Sequence, residues 1–182
     1  MHIFLDMDGV LNKESDWHKK FYINPDCLCN FEELIKKLIR NNDIQIILTS
    51  TWRQGVSGLN DSILLPLNSM LNKYNLRIND CTVKSNKTRQ EEIEYYIRRH
   101  NVDKYIILDD DEKLFPDKNN VNLYLINYKT GFCSRDVSNI IKVIKNMANN
   151  TLLMKKRDIS QVRNELYQLL TSKEYAVFHY YE

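Results

Sequence analysis

Short apolar runs that alternate with helical stretches are the feature that most constrains how this chain can fold. The runs 2–5, 44–48, 105–108 and 122–126 have the length and apolar character of buried strands. The stretches 30–41, 62–74, 88–100 and 134–147 repeat apolar residues at helical spacing, the first with Asn30 as its predicted N-cap. Strands and helices that alternate through short turns favour a parallel sheet covered on both faces. The sequence therefore predicts an α/β fold, a Rossmann-like three-layer sandwich around a central parallel sheet.

Polar residues stand at the points where three of the predicted strands end. Asp6 follows the first run, Thr49 follows the second, and Asp109 follows the run 105–108. In parallel sheets of this kind, ligands bind beyond the carboxyl ends of the strands, at the point where the strand order reverses. We therefore expect the functional chemistry at these three strand ends.

Acidic residues cluster at two of these strand ends. Asp6 and Asp8 project from one short segment, and Gly9 permits the tight turn that the segment needs. Asp109 and Asp110 follow a buried strand in the same way. Buried carboxylates in a common space repel one another and raise a pKa unless a cation neutralises them, and Mg²⁺ prefers such oxygen ligands. The alternatives are a solvated acidic turn at the first place and an acidic helix N-terminus at the second.

Groups that can bind an anion lie at neighbouring positions. Thr49 offers a hydroxyl and a backbone N–H, and Lys87 and Arg89 lie at the start of the predicted helix 88–100. A cation there can hold a phosphate and offset the carboxylates. Taken singly, each of these residues is equally explained as an ordinary strand end or as surface charge on a helix.

Together these residues carry a family resemblance. The run Asp-Met-Asp-Gly-Val at 6–10, Thr49, a Lys or Arg before a helix, and the acidic pair 109–110 resemble, in order, the four motifs of the haloacid dehalogenase (HAD) superfamily over residues 1–147. The resemblance implies a phosphatase in which Asp6 is the nucleophile and Asp8 the general acid and base. It also implies that Thr49 and a motif-three cation, Arg89 or alternatively Lys87, bind the phosphate.

The same resemblance implies a Mg²⁺ cofactor. Asp6, Asp109 and Asp110 would hold the ion with their side chains, and Asp8 would do so through its backbone carbonyl. The reaction implied is hydrolysis of a phosphomonoester through an aspartyl-phosphate intermediate.

A second resemblance lies in the segment Thr-Ser-Thr-Trp-Arg at 49–53, which is similar to the Ser-Ser-Trp-Arg run of HAD domains associated with RNA-repair proteins. It implies that Ser50, Trp52 and Arg53 bind substrate together with Thr49 and Arg89. In that interpretation Trp52 stacks on a base and Arg53 binds a phosphate. The alternative is that Trp52 packs under its loop and Arg53 pairs with a nearby acid. Trp17 leaves the same alternatives open.

The loop Thr-Gly-Phe at 130–132 resembles the Gly-containing loop that closes these domains. Cys133 stands where the subgroup often has Thr, which is a departure from the pattern.

The substrate class follows from the lengths of the insertions. Members of the superfamily select substrates with caps, and 11–30 is too short for a large one, so we expect little or no cap. An open site admits a macromolecular phosphate, whereas a small metabolite usually needs enclosure. This favours a phosphorylated nucleic-acid end. Two alternatives stay open: a small nucleotidase, because 6–11 also resembles deoxyribonucleotidases, and a catalytically silent binding module of the same fold.

The chain is predicted to divide at 150. Residues 1–150 form the phosphatase domain, and 151–182 form a C-terminal extension with a basic cluster at 155–157, an amphipathic helix through Ile159 and Leu170, and an aromatic segment at 175–181. The extension either packs on the domain or binds a protein partner.

Charge and hydropathy limit the other classes of protein. The formal net charge of +2 is too small to indicate nucleic-acid or membrane binding by itself. No apolar run approaches the length of a membrane span, and the run 2–5 is too short for a signal peptide. The four cysteines are interpreted as reduced thiols. We expect a cytoplasmic protein with no membrane partner.

Overall fold

The structure is a computed structural model, and it describes residues 1–55, 58–59, 61–85, 87–117, 122–149, 159–161, 163–164 and 168. The chain divides into two compact units, Met1–Ile141 and Lys142–Glu182. The predicted basic cluster 155–157 and aromatic segment 175–181 lie outside the described residues, as does most of the amphipathic helix. The predicted boundary at 150 therefore stays a prediction. Within the described part of the chain, no helix is both long and apolar enough to cross a bilayer.

Five parallel strands form one sheet in the order β3-β2-β1-β4-β5. The strands are β1 (His2–Leu5), β2 (Gln45–Leu48), β3 (Ile78–Cys81), β4 (Tyr105–Asp109) and β5 (Leu123–Leu125). Among the described residues of 1–149, the α-helices are α1 (Pro25–Leu38), α2 (Leu65–Asn72), α3 (Arg89–His100) and α4 over 134–149. The predicted α/β fold with a parallel central sheet is confirmed.

Both faces of the sheet are buried. Phe4, Ile47 and Ile107 form a core cluster on one face with Ile93 and Tyr96 of α3. Side chains alternate between the two faces of a strand. The residues of opposite parity in the central strands are at least as buried: Ile3, Leu5, Ile46, Leu48, Ile106 and Leu108. This explains why these strands appear in the sequence as continuous apolar runs.

Helix α1 starts earlier than predicted. Its N-cap is Asn24, whose side-chain oxygen accepts hydrogen bonds from the backbone N–H groups of Asp26 and Cys27, and Pro25 occupies the first helical position. Proline is favoured there because it has no N–H to leave unpaired and its φ is already helical. The prediction that Asn30 caps this helix is therefore wrong. The Asn30 side chain instead donates hydrogen bonds to the carbonyls of Asp26 and Phe132.

The edge strand β3 has no counterpart in the sequence prediction. Its four residues, Ile-Asn-Asp-Cys, lack both an apolar run and a regular alternation. Its pairing with β2 shifts register between Ile46 and Ile47. At this irregularity the side-chain oxygen of Asn79 accepts the Ile46 N–H at 2.9 Å, which supplies the acceptor that the shifted ladder lacks.

The segment between β1 and α1, residues 11–24, is called the flap below. Within it the structure forms only a 3₁₀-helix at Glu14–Asp16, so the flap is no separate cap domain. Phe21 has a left-handed backbone with φ 53°, and its ring contacts that of Trp52 edge-on at 5.2 Å.

Candidate active site

Strand register brings the predicted residues together. Leu5 pairs with Leu48 of β2 on one side and with Leu108 of β4 on the other. The next residues along the three strands are Asp6, Thr49 and Asp109, so they lie side by side at the carboxyl end of the sheet. The strand order reverses between β1 and β4, which is where this fold class binds its ligands.

Three carboxylates meet at this reversal point. Asp6, Asp109 and Asp110 each offer one oxygen, and these oxygens lie within 4.8 Å of one another. Oxygen ligands on one Mg²⁺ bind at about 2.1 Å, so opposite ligands are about 4 Å apart. The hard oxygen donors and their near-correct spacing therefore fit one divalent cation. The Asp8 side chain does not belong to this group, and its predicted contribution through the backbone carbonyl stays a prediction.

Arg89 bridges two of the three carboxylates. Its Nη1 lies 2.9 Å from Asp6 Oδ1 and 2.7 Å from Asp109 Oδ2, and its side chain is 9% exposed. One guanidinium against three carboxylates leaves two negative charges, which a divalent cation would balance. Lys87, the alternative cation, is exposed. The geometry therefore places Arg89, and not Lys87, at the acidic cluster.

The carboxyl groups of this cluster bind protons more tightly than ordinary aspartates do. Burial and the neighbouring Asp6 raise the pKa of Asp109 to about 7 and that of Asp110 to about 6. Burial also raises the pKa of Asp6, against the opposing effects of Arg89 and a hydrogen bond from Ser50. Burial disfavours the charge of Arg89, but Asp6 and Asp109 outweigh it and raise the pKa of the guanidinium. The site is thus electrostatically short of positive charge.

Asp8 is held by two N–H donors from different segments. Trp52 Nε1 donates to its Oδ2 at 2.9 Å, and Asn12 Nδ2 donates to its Oδ1 at 2.8 Å. Asn12 also accepts the Gly9 N–H at 2.8 Å and is 2% exposed. Both oxygens of Asp8 are therefore fixed in direction, beside Asp6 but outside the carboxylate group.

Gly9 lets the acidic residues of the two strand ends approach. Its φ is +71°, and a Cβ at this position would lie 2.1 Å from Asp110 Oδ2. A larger residue would push Asp110 out of the carboxylate group. The loop at 130–132 contacts the same segment, since the Phe132 N–H donates to the Val10 carbonyl at 2.9 Å.

Thr49 and Ser50 supply hydroxyls on the other side of Asp6. Thr49 is fully buried, and among the described residues its Oγ1 has no hydrogen-bond partner. Buried hydroxyls are normally paired, so this one is available to a bound ligand. Ser50 is also buried, its hydroxyl forms a hydrogen bond with the Asp6 carboxylate, and it accepts the Trp52 N–H.

Trp52 and Arg53 are both engaged within the protein. Trp52 is only 3% exposed, and its indole N–H donates a hydrogen bond to the Asp8 carboxylate. Arg53 Nη2 lies 2.6 Å from Glu92 Oε2, and its Nη1 donates to the carbonyls of Thr49 and Ser50. This arrangement matches the alternative in which Trp52 packs under the loop and Arg53 pairs with a nearby acid. Their predicted direct contact with substrate stays a prediction.

Sequence reasoning missed two residues that hold site side chains, Asn12 and Glu92, and one further polar residue at a strand end, Thr82. Asn12 fixes Asp8, and Glu92 fixes Arg53. Thr82, directly after β3, presents a second buried hydroxyl without a partner among the described residues. A Thr directly after a strand is a recognisable signal only where the strand itself can be predicted. The sequence does not predict β3, so Thr82 carries no such signal. The roles of Asn12 and Glu92 depend on contacts with distant segments.

Comparison with known proteins agrees with this geometry. A family model described as "HAD domain in Swiss Army Knife RNA repair proteins" matches residues 2–137, which is most of the chain. The protein therefore belongs to the HAD superfamily, and within it to this family of domains linked to RNA repair. The matched range includes all five strands and every site residue described above. No curated protein and no solved structure gave a match.

Proposed function

We propose that this protein is a Mg²⁺-dependent phosphomonoesterase that acts on phosphorylated nucleic-acid ends through an aspartyl-phosphate intermediate. The observation that carries the proposal is the position of Asp6. Its carboxylate lies against Arg89 and shares a cation-sized space with Asp109 and Asp110, while Asp8 stands beside it with both oxygens oriented. A nucleophile, a cation site and a proton donor thus converge at one strand end.

The first step is attack by an Asp6 oxygen on the phosphorus. An Asp6–phosphorus bond forms as the bond to the ester oxygen breaks, and Asp8 gives its proton to the departing oxygen. Asp8 then takes a proton from a water that attacks the phosphorus, and the Asp6 carboxylate is released. Arg89 favours the anionic form of Asp6 and so opposes the effect of burial, and the Thr49 hydroxyl, which has no partner among the described residues, could bind a phosphate oxygen. Mg²⁺, when bound by the three carboxylates, would neutralise charge on the phosphate.

An open site supports a macromolecular substrate. Among the described residues, the flap contains no more than a short 3₁₀-helix, and Asp8 faces a groove that is open to solvent. A helical cap would have favoured the small nucleotidase, and the described segments contain none. Carboxylates too far apart to share a cation would have favoured the silent module, but Asp6 and Asp109 are close. The family match to RNA-repair proteins supports the same substrate class.

The test is release of inorganic phosphate from oligonucleotides with a 3′- or a 5′-phosphate, from mononucleotides and from an aryl phosphate. Each is assayed with Mg²⁺ or with EDTA, using the native protein and the Asp6→Asn variant. The matched control is Asp103→Asn, because Asp103 is exposed and precedes β4 at the opposite end of the sheet. We expect Mg²⁺-dependent release that is greatest for one oligonucleotide end, is lost in Asp6→Asn and is retained in Asp103→Asn.

Three results would contradict the proposal. Turnover that survives in Asp6→Asn would exclude Asp6 as the nucleophile. A preference for mononucleotides would replace the polynucleotide end with a nucleotidase activity. Absence of both turnover and Mg²⁺ binding in the folded protein would indicate a silent binding module.

A further inference from the structure

The flap forms one wall of an open groove beside Asp8, and no step of the reaction above uses this groove. It has a volume of about 530 Å³ and is lined by Asp8, Trp17, Lys19, Lys20, Phe21, Thr51 and Trp52. Asp8 belongs both to the groove and to the proposed reaction centre. A molecule bound in the groove would therefore lie directly beside the phosphate that reacts. The lining combines aromatic rings with ammonium groups.

We propose that this groove binds the terminal nucleotides of a single-stranded nucleic acid, with Trp17 stacking on a base and Lys19 and Lys20 binding backbone phosphates. The inference rests on the proposed function for the position of the reacting phosphate. The inference adds a binding site by which the protein would distinguish a polynucleotide from other phosphate esters.

Trp17 is both exposed and held in place, as a residue that stacks on a base must be. It is 47% exposed, although its indole Nε1 donates a hydrogen bond to Asn12 Oδ1 at 3.1 Å. Its ring stacks on Tyr128 at 5.9 Å and 24°. Tyr128 covers part of the indole, and the indole also lines the groove beside Asp8. An exposed, fixed indole face is the feature that proteins use to stack on nucleobases of any sequence.

The support for Trp17 is fixed in the protein. The Glu14 N–H donates to the Tyr128 carbonyl at 2.9 Å, which ties the flap to the loop that carries Tyr128. Asp16 is 8% exposed and accepts a hydrogen bond from Asn24 Nδ2 at 2.8 Å, which ties the flap to the N-cap of α1. A surface held in this way loses little conformational freedom on binding.

Two lysines complement the charge of a nucleic-acid backbone. The Lys19 side chain is 46% exposed, lies 3.6 Å from Asp16 and covers the Tyr22 ring. Lys20 is exposed and its ammonium lies 5.1 Å from the centre of the Phe21 ring. The net charge of the whole chain is only +2, so this local pairing of ammonium and aromatic groups is the informative feature. A groove of cations and aromatic faces follows a single strand without reading its sequence.

Binding is measured directly, so that the result does not depend on turnover. The probe is an unphosphorylated single-stranded hexanucleotide, as RNA and as DNA, with a fluorescent label, titrated against the Asp6→Asn protein. We expect Trp17→Ala to raise the Kd about tenfold or more and Trp17→Phe to restore most of the affinity. Lys20→Ala should lower the slope of log Kd against log salt by about one. The matched controls are Tyr95→Ala, an aromatic residue 50% exposed on α3, and Lys37→Ala, exposed on α1.

Intrinsic fluorescence gives a second readout. The chain has two tryptophans, and Trp52 is buried. Stacking of a base on Trp17 should quench the exposed part of the emission, and this quenching should disappear in Trp17→Phe although the oligonucleotide still binds.

The outcomes separate this inference from the proposed function. An unchanged Kd in both Trp17→Ala and Lys20→Ala would contradict nucleic-acid binding in the groove, even if phosphate release by the native protein supports the phosphatase activity. Equal or tighter binding of a serine phosphopeptide, with no quenching by the hexanucleotide, would also overturn it and assign the groove to a protein substrate. A raised Kd in these variants, in a protein that releases no phosphate from any ester, would support the groove and contradict the phosphatase.

Discussion

Orientation of Asp8 is the most demanding requirement at the scale of single residues. In the proposed reaction, proton transfer needs the Asp8 carboxylate to face the leaving oxygen, and small misplacements are costly for catalysis. Trp52 and Asn12 supply the two N–H groups that set this direction. If Asp8 is the general acid, we expect Trp52 to act as a positioning residue through its indole N–H, in addition to its packing against Phe21.

Replacement of Trp52 by Phe tests this role. The variant keeps an aromatic ring beside Phe21 and loses the hydrogen bond to Asp8, whose charged acceptor makes it one of the stronger kind. We expect kcat for an aryl phosphate to fall about tenfold or more, with KM nearly unchanged. The measurement is steady-state kinetics with saturating Mg²⁺, with the melting temperature recorded for each protein. An unchanged kcat would show that the hydrogen bond does not position Asp8.

Residues at the strand ends could be predicted because apolar runs show where strands stop. Asp6, Thr49, Asp109 and Asp110 all follow such a run directly, and the structure brings them together. The partner of Trp52 could not be predicted in this way, because Asp8 is 44 positions away along the chain. Composition and spacing identify an aromatic residue, but the direction of its N–H depends on how distant segments pack.

At the scale of elements, one buried ion pair joins the loop after β2 to α3. Arg53 and Glu92 have side chains that are 7% and 5% exposed, and their charged atoms lie 2.6 Å apart. Arg53 donates to the carbonyls of Thr49 and Ser50, while Glu92 also accepts the Ser85 N–H at 2.6 Å. Helix α3 also carries Arg89. The ion pair therefore fixes Thr49 and Ser50, which supply the hydroxyls of the site, relative to the Arg89 guanidinium.

Glu92→Gln should destabilise the fold strongly. Removing one charge of a buried pair leaves the other uncompensated, which typically costs about 3–5 kcal/mol. Burial lowers the pKa of Arg53, and the nearby carboxylate of Glu92 opposes this effect. We expect the free energy of unfolding to fall by about 3 kcal/mol, as measured by urea denaturation.

The matched control is Glu94→Gln on the same helix. Glu94 faces the exposed Arg98 at 3.8 Å, and exposed pairs contribute about 0–1 kcal/mol. The double variant Arg53→Met with Glu92→Leu should recover part of the loss, because it leaves no unpaired charge. Equal destabilisation by Glu92→Gln and Glu94→Gln would contradict the structural importance of the pair.

The spacing of apolar residues locates the helices but does not always show where they begin. Helix α3 begins with a capping box, Thr88 and Glu91, and its predicted start agrees with the structure. For α1 the apolar spacing alone predicts a start at Asn30, whereas the helix begins at the Asn24-Pro25 signal, five residues earlier. Strand β3 could not be predicted because an edge strand needs few apolar residues, and its pairing depends on β2.

At the scale of the whole molecule, the strand order creates the site. Asp6 and Asp109 are far apart in sequence and become neighbours only because β1 and β4 pair directly. The sequence predicts a parallel sheet and the polar strand ends, but the order of the strands follows from packing of the whole chain. The order adopted places the reversal point at the acidic residues.

Stability of the whole molecule should depend on pH through this acidic site. The pKa of Asp109 is raised to about 7 and that of Asp110 to about 6, from an ordinary value of 3.8. Between about pH 4 and 7 the folded protein therefore binds more protons than the unfolded chain, so its stability falls as pH rises through this range. If Mg²⁺ is bound by the carboxylates as proposed, it would replace these protons, and its stabilising effect should grow over the same range.

The decisive quantity is the difference in melting temperature between Mg²⁺ and EDTA at about pH 5 and about pH 8. Histidines and other groups that do not interact with the metal contribute equally to both conditions, so the difference isolates the acidic site. We expect a larger difference at the higher pH, which should shrink in Asp110→Asn and persist in Asp103→Asn, whose carboxylate is exposed. If the difference is the same at both pH values, or unchanged in Asp110→Asn, the three carboxylates do not hold the ion. A difference that grows with pH and shrinks in Asp110→Asn would support competition between the cation and the protons for these carboxylates, because metal binding to carboxylates releases their protons.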